Sequence, residues 1–446
     1  MASLCLSALA AGCTVYRDKP LGGTDTDAAL QSPDRAEIAQ RAAQLHHPLI
    51  APVMLDFSKP LTPDEVAVVT VLANPDLRAA RAAEGVSHAQ VFASGLLPDP
   101  QISAGVDKLV SPLDQGFVNA YSGGLTLDLL GALATRSVEQ QAARATAEQT
   151  RLNVVWEEWT TAGKARLLAI RLPYQIKAAA LANAAADESD RILATVLKAA
   201  ERGDLKGDEV QTWRISAADA RIRATTASRE LQTTRLDLNG LLGLLPQEPL
   251  EVADAAPLES WTAPEADQLF QRARRQRLDL QALEQAYASQ EATLHHAVLG
   301  QYPRIAITLN RARDTSDVHT FGPSVSLDLP LWNRNRGVIA VETATREQMR
   351  AEFVARLHQT RGEIAALVDG LNRDEAARAA LEASIGDVER IADLYEDSAR
   401  RGAVTLPVAA GIRAAAVDKQ ITLLGLEQSC AEQRLGLALA IGAPLL

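Results

Sequence analysis

Phe321 to Ala340, FGPSVSLDLPLWNRNRGVIA, joins two kinds of structure that few folds combine. Ser324, Ser326 and Asp328 alternate with Val325, Leu327 and Leu329, the period of two that gives a strand one polar and one apolar face. Pro330 closes the strand, and Asn333, Arg334, Asn335 and Arg336 turn the chain. Val338 then opens a run with almost no helix breaker that reaches about Arg400. At 1.5 Å per residue, some 60 residues extend roughly 90 Å as one helix, a length for which a single compact domain has no use.

The junction occurs twice. Leu127-Asp128-Leu129 matches Leu327-Asp328-Leu329, and Arg136 matches Arg336, at a spacing of 200 residues. Asn74-Pro75-Asp76-Leu77 matches Arg277-Leu278-Asp279-Leu280, and Pro100-Gln101-Ile102 matches Pro303-Arg304-Ile305, at 203. Arg202-Gly203 matches Arg401-Gly402, and Gly243 matches Gly442, at 199. One spacing with small insertions in loops means a duplicated unit. Each copy reads helix, strand, loop, strand, long helix, turn, helix. The first helical pattern starts at Leu61, where Thr62-Pro63-Asp64-Glu65 supplies a cap, a first-turn proline and early acids, and it continues to about Gly95. The long helices are expected from about Thr135 to Glu201 and from about Val338 to Arg400, with Pro173, Gly362, Gly370 and Gly386 as places to bend.

The expected divisions are a signal-like segment 1–12, a lead 13–60, a first repeat 61–243, a linker 244–261 and a second repeat 262–446. Strands are expected at about 101–109 and 120–130 in the first repeat, and at about 304–312 and 321–330 in the second. Strands of about ten residues with this alternation have the length of bilayer-spanning strands, but four cannot close a barrel. An open edge in lipid leaves backbone groups unsatisfied, so other copies of the chain must complete the sheet. Three copies give twelve strands in a ring closed by cyclic symmetry. Asp128 and Asp328 are then expected to face the lumen, because a carboxylate towards lipid is costly; solvated strand ends are the plainer alternative. Phe117, Tyr121, Tyr302, Phe321 and Trp332 lie near strand ends, where they suit interfacial girdles or ordinary packing.

Composition agrees with long packed helices: hydrophobic residues make up 47% but aromatics only 4%, so the apolar content is mostly Ala, Leu and Val. A net charge of −11 counts against non-specific nucleic-acid binding. No uncharged run after residue 20 reaches the length of a spanning helix. Cys5, Cys13 and Cys430 give no disulfide framework. His46, His47, His88, His295, His296, His319 and His358 show no metal-ligand spacing, and no phosphate loop or nucleophile elbow occurs, so neither a metal site nor catalysis is expected.

Taken in this order, the chain resembles the TolC family of outer-membrane efflux channels over nearly everything from Leu61 onward. The residues that carry the likeness are the tandem repeats, NPDL opening the first helix, LLPDPQIS and QYPRIAI entering strands, LDLPLW leaving one, and the turns before the last helix of each copy. The resemblance implies a mainly α protomer with a small β part. In the family such protomers form a homotrimer, a short β-barrel in the outer membrane continued by a long periplasmic α-helical barrel. It implies a passive duct without a cofactor, fed by an inner-membrane pump, of the RND type, through a periplasmic adaptor. The adaptor-docking turns map onto Arg202-Gly203-Asp204-Leu205-Lys206 and Arg401-Gly402-Ala403-Val404-Thr405, which read more plainly as solvated helix-linking turns. Family members often close the tip with aspartates just beyond the second turn; Val408 and Gly411 stand there, so that acidic ring is absent. Asp208 and Glu209 of the first copy offer an acidic constriction instead, or simply complement a helix dipole.

Two further likenesses bear on anchoring and cargo. LAAGC resembles a bacterial lipobox, which implies acyl chains on Cys13; Thr14 in place of Asp implies the outer membrane, and a plain signal or a buried apolar N-terminus is the alternative. PLWNRNRG is similar to the turn of heavy-metal efflux members, whereas drug or solvent export stays open because Met1, Met54 and Met349 are too few for a thioether relay. A periplasmic coiled-coil adaptor or scaffold would explain the helices but not the strands. A soluble enzyme would need a catalytic constellation that is not there.

Overall fold

The structure, a computed structural model, describes residues 15–108, 110, 118–254, 261 and 263–444. The expected signal segment 1–12, the acylation site Cys13 and the girdle position Phe117 lie outside the described residues. Helices α1 (Thr24–Ala29) and α2 (Arg35–Ala43) come first. Then one order of elements runs twice. The first pass is α3 (Pro63–Ala73), α4 (Pro75–Ser94), β1 (Gln101–Asp107), β2 (Ala120–Leu127), α5 (Leu129–Glu201) and α6 (Gly207–Leu241). The second is α7 (Ala266–Gln276), α8 (Leu278–Leu299), β3 (Arg304–Arg313), β4 (His319–Asp328), α9 (Arg336–Arg400) and α10 (Leu406–Ile441). The fold is mainly α with one small antiparallel sheet, and α5 and α9 hold 73 and 65 residues. At the usual rise they would extend about 110 and 98 Å if straight.

The helix expected from Leu61 to Gly95 is two helices. Thr62 and Glu65 do form the reciprocal cap that starts α3, with the Thr62 N–H 2.7 Å from the Glu65 carboxylate. But Asn74 leaves the helical region, at φ −58° and ψ 128°. Pro75 disfavours a helical residue before it and has no N–H to offer. Asn74 Oδ1 then accepts from the Leu77 N–H at 3.0 Å and starts α4, while Nδ2 donates to Leu241 O at 2.9 Å, at the end of α6. The second copy breaks at the equivalent Arg277, without a proline. Its buried guanidinium donates to Ala440 O at 3.0 Å and to both Asp279 oxygens at 2.8 and 2.9 Å, over the Trp156 ring.

Each break therefore receives the end of another helix. The chain leaves α6 at Gly243 and α10 at Gly442, with φ +65° and +76°. A Cβ would meet Ala73 O at 3.0 Å at the first and Arg277 Cα at 3.1 Å at the second. Glycine is required there by both conformation and closeness. In this way the end of α6 meets the start of α4 and the end of α10 meets the start of α8, so that shorter helices together flank the long ones.

Three apolar clusters hold the helices. One gathers α3, buried from Val66 to Ala73, with Trp159, Ala162 and Ala165 of α5 and Leu238 of α6. A second joins Leu269, Ile364, Leu371, Leu437 and Ile441. A third is a seam of Ala182, Ala186, Ala220 and Ala224 that lets α5 and α6 approach closely. Gly163, inside α5, leaves the space that Leu439 of α10 fills.

Several boundaries differ from those expected. Strand β1 ends at Asp107, and β2 ends at Leu127 because α5 begins at Leu129 with only Asp128 as the turn. Strand β4 runs from His319, whose pairing with Arg313 completes the ladder, and ends at Asp328 before the proline. Helix α9 starts two residues earlier, at Arg336. The lead is not merely extended. It forms α1 and α2, buries Ile38, Ala42 and Ile50, and meets the linker through a Leu61–Val252 bridge and the Arg35–Glu248 ion pair.

Burial pushes the Asp279 carboxyl up, but its bonds to Arg277 and Arg356 outweigh that and hold it below 3.8. A carboxylate with a lowered folded pKa contributes stability above its unfolded pKa and loses it as pH falls through the folded value. Asp279→Asn is expected to cost about 3 kcal/mol at neutral pH, because it leaves Arg277 buried and under-compensated. The difference from the unsubstituted protein should shrink below pH 3.8. Chemical-denaturation midpoints at both pH values check this.

Candidate functional site

The sheet has order β1-β2-β3-β4, antiparallel throughout, with β2–β3 joining the two repeats. Register sorts its residues cleanly. Ile102, Tyr121, Leu125, Ile307, Val325 and Phe321 fall on one face, with Ile305, Leu309 and Leu327. Ser103, Ser122, Thr126, Thr308, Asn310 and Ser324 fall on the other, with Ser326 and Asp328. No described part of the chain covers the apolar face: Ile102 is 84% exposed, Val325 61% and Phe321 73%. Two pairs bond across strands on the polar face, Thr126 with Thr308 at 2.9 Å and Asn310 with Ser324 at 2.7 Å. Strands β1 and β4 each pair on one side only, so both edges of the sheet are open.

Strands hand over to helices in two ways. Asp128 occupies the N-cap position of α5 and lines a cavity of about 710 Å³ with Arg136, Glu139, His296 and Arg304. Asp328 is the last residue of β4, exposed and paired across from Arg304. Arg334 and Asn335 take positive φ, +47° and +53°, and Asn335 Nδ2 donates to Ala297 O at 2.6 Å. Tyr302 and Trp332 are exposed near this level, whereas Tyr121 and Phe321 lie towards the hairpin end.

The turns singled out in the sequence close the far ends of the long helices. Gly203 and Gly402 have φ +84° and +74°. Asp204 N–H reaches Ala199 O at 3.0 Å and Ala403 N–H reaches Ser398 O at 2.9 Å, the same left-handed helix stop in both copies. Arg202, Asp204, Lys206, Arg401, Ala403 and Thr405 are exposed, and Leu205 and Val404 are half-buried. The Glu209 carboxylate accepts from the Lys206 N–H at 3.2 Å and so caps α6, while Asp208 is exposed beside it. The second tip exposes Leu406 and Val408 instead. Behind it Arg413 ties α10 to Asp393 and Glu396 of α9, the latter at 2.6 Å.

Sequence reasoning missed the two helix joints, for which Pro75 in NPDL was the available signal in the first copy. It also missed the contact of Arg81 and His47 with Glu158, 2.6 and 3.2 Å away, which fixes the lead against α5. Among the described residues no helix is long and apolar enough to cross a membrane, and no group of three or more His, Cys, Asp and Glu is placed to hold a metal.

Residues 269–443 match the family described as outer membrane efflux protein. No curated protein sequence matches the chain. Among solved structures it is similar to the CmeC outer membrane channel of Campylobacter jejuni, at 14% identity and a TM-score of 0.72, over 85% of each chain. It is similar to the outer-membrane channel OprN at 15% identity and a TM-score of 0.72, over 97% of this chain and 99% of that one. For CusC, a protein described as forming a transmembrane channel, the values are 15% and 0.68, over 92% and 99%. Residues 269–443 thus resemble the outer membrane efflux proteins in sequence, and over nearly its whole length the chain has the fold of these solved outer-membrane channels.

Proposed function

We propose that three copies of this chain form the outer-membrane exit duct of a tripartite efflux system, passively conducting cargo delivered by an inner-membrane pump through a periplasmic adaptor. The observation that carries this reading is the sheet, with an uncovered apolar face, a polar face and two open edges, continued by helices of 73 and 65 residues. Water cannot be the surroundings that such a face is built for, and lipid cannot tolerate such edges. Joining β1 of one copy to β4 of the next satisfies both conditions. The polar face, with Asp328 at its helix end, then lines the lumen.

The far turns, Arg202–Lys206 and Arg401–Thr405, are proposed to meet the adaptor. Glu209 is occupied as a cap, which leaves Asp208 as the acid free to form a ring at the tip. The PLWNRNRG turn serves the handover from strand to helix, where Asn335 holds Ala297 O. Cargo, metal or drug, is chosen by the pump. Acyl chains on Cys13 would add an anchor, and fatty-acid label should be lost in Cys13→Ser.

In outer-membrane fractions the protein is expected as a heat-modifiable trimer that conducts in planar bilayers, with Asp208→Asn lowering its cation preference. A protein found only as a soluble monomer would instead favour a periplasmic scaffold. Single cysteines should map the faces: Val325→Cys reacts with a lipid-phase probe, and Ser326→Cys with an aqueous probe entering the channel. The pair Arg202→Glu and Arg401→Glu should leave trimers and conductance intact while abolishing efflux in cells, read as drug or metal tolerance.

A further inference from the structure

Resting on the reading that the sheet spans the outer membrane with its apolar face outward, we propose a binding site for the phosphate group of a phosphorylated outer-leaflet lipid, centred on Arg311. The register puts Arg311 and Arg313 on the same face as Ile305, Ile307 and Leu309, one and two steps further towards the hairpin. His319 joins them from β4. That face is otherwise apolar, and its basic residues gather at the end remote from the helices.

The two acidic residues of the β3–β4 turn are already engaged. Asp317 stands 2.6 Å from Arg313 Nε and 3.7 Å from His319 Nε2, and Asp314 accepts from the Ser316 and Val318 N–H groups at 2.8 and 2.9 Å. Arg311 is exposed and has no ion pair among the described residues. Its neighbours across the sheet are Gly123 on β2 and Phe321 on β4. Gly123 leaves a notch: a Cβ there would find only backbone oxygens, at 3.9 and 4.0 Å. Phe321 and Tyr121, both exposed, flank it with rings suited to acyl chains or sugars.

Depth and symmetry favour a lipid. From Leu327 to Phe321 the apolar stripe climbs about 20 Å along the strand, about 15 Å along the membrane normal at the usual tilt, and Arg311 and Arg313 close it at the hairpin end. A cation there costs little, whereas at the midplane it would be strongly unfavourable. Arg311 lies on an inner strand, so copies joining at β1 and β4 leave it uncovered. A guanidinium above an apolar wall, open to the membrane, is complementary to a phosphate that carries acyl chains below it.

The test uses the purified trimer in detergent, with bound lipid counted by native mass spectrometry and affinity measured by titration. Diphosphorylated lipid A should bind at up to three copies per trimer, and its dephosphorylated form about tenfold more weakly. Arg311→Gln should weaken the phosphorylated lipid about tenfold, and Arg311→Lys should keep most of the affinity. Arg304→Gln, on the polar face, should change nothing. If an Arg311→Gln trimer that still conducts binds the lipid as before, the site is wrong and the channel reading stands. Competition by millimolar inorganic phosphate would make this a free-anion site and overturn the lipid assignment. If Arg304→Gln, not Arg311→Gln, loses the lipid, the faces are reversed and the channel reading falls with the proposal.

Discussion

Backbone hydrogen bonds at the two edges of the sheet govern the rest of the structure. Strands β1 and β4 are paired on one side only, and no described helix or loop lies along their free sides as a further strand. In water such edges invite uncontrolled pairing, and in lipid each unmet N–H or C=O costs several kcal/mol. The face that would need lipid is the one that exposes Ile102, Val325 and Phe321. The protomer is therefore an incomplete object, and the cheapest completion joins unlike edges of identical copies around an axis. Once that ring is granted, the polar face needs no further explanation. It is the inner wall.

The helices answer a second requirement, that a narrow sheet be continued by a wide and long wall. No single helix pair does this. Each long helix is flanked by two shorter ones that meet end to end, and the meeting points are where the repeats differ in chemistry while agreeing in backbone. Asn74 uses a neutral amide to serve both helix ends. Arg277 buries a charge that Asp279, Glu363, Ala440 O and the Trp156 ring make tolerable. A buried ion pair seldom adds much net stability, but it permits one arrangement and penalises others, as a joint between stacked helices requires. The tips follow the same rule: Gly203 and Gly402 stop their helices identically, then one turn displays charge and the other Leu406 and Val408.

How much of this could be read from the sequence depends on how local its cause was. Alternation in Ser324–Leu329 and the long runs without breakers are local, and they announced strands, helices and duplication correctly. The handovers were harder. Leu127-Asp128-Leu129 and Leu327-Asp328-Leu329 look alike, yet Leu129 starts a helix while Leu329 enters a turn, because Pro330 and the left-handed Arg334 and Asn335 follow only in the second. The break at Arg277 has no local signal, since its reason is the arrival of α10. The packing of the lead against α5 depends on Glu158, about a hundred residues away. Asn310-Arg311-Ala312-Arg313 reads as a polar strand end; only the register shows that its two arginines share a face with Ile305.

The polar face has a further consequence for cargo. Its middle offers hydroxyls and one amide, of which Thr126, Thr308, Asn310 and Ser324 are bonded to one another in pairs, with Gly105, Gly124 and Gly322 between them. Charge appears only at the two ends, Arg304 and Asp328 by the helices and Asp107 by the hairpins. A wall of such groups presents no deep well to any ion or drug, and conduction needs sites that release as readily as they bind. Under the proposed reading, discrimination cannot reside in the barrel. It belongs at the tip, where Asp208 stands free, or to the pump that loads the duct, which is why neither the scarcity of methionine nor the PLWNRNRG turn identifies what is exported.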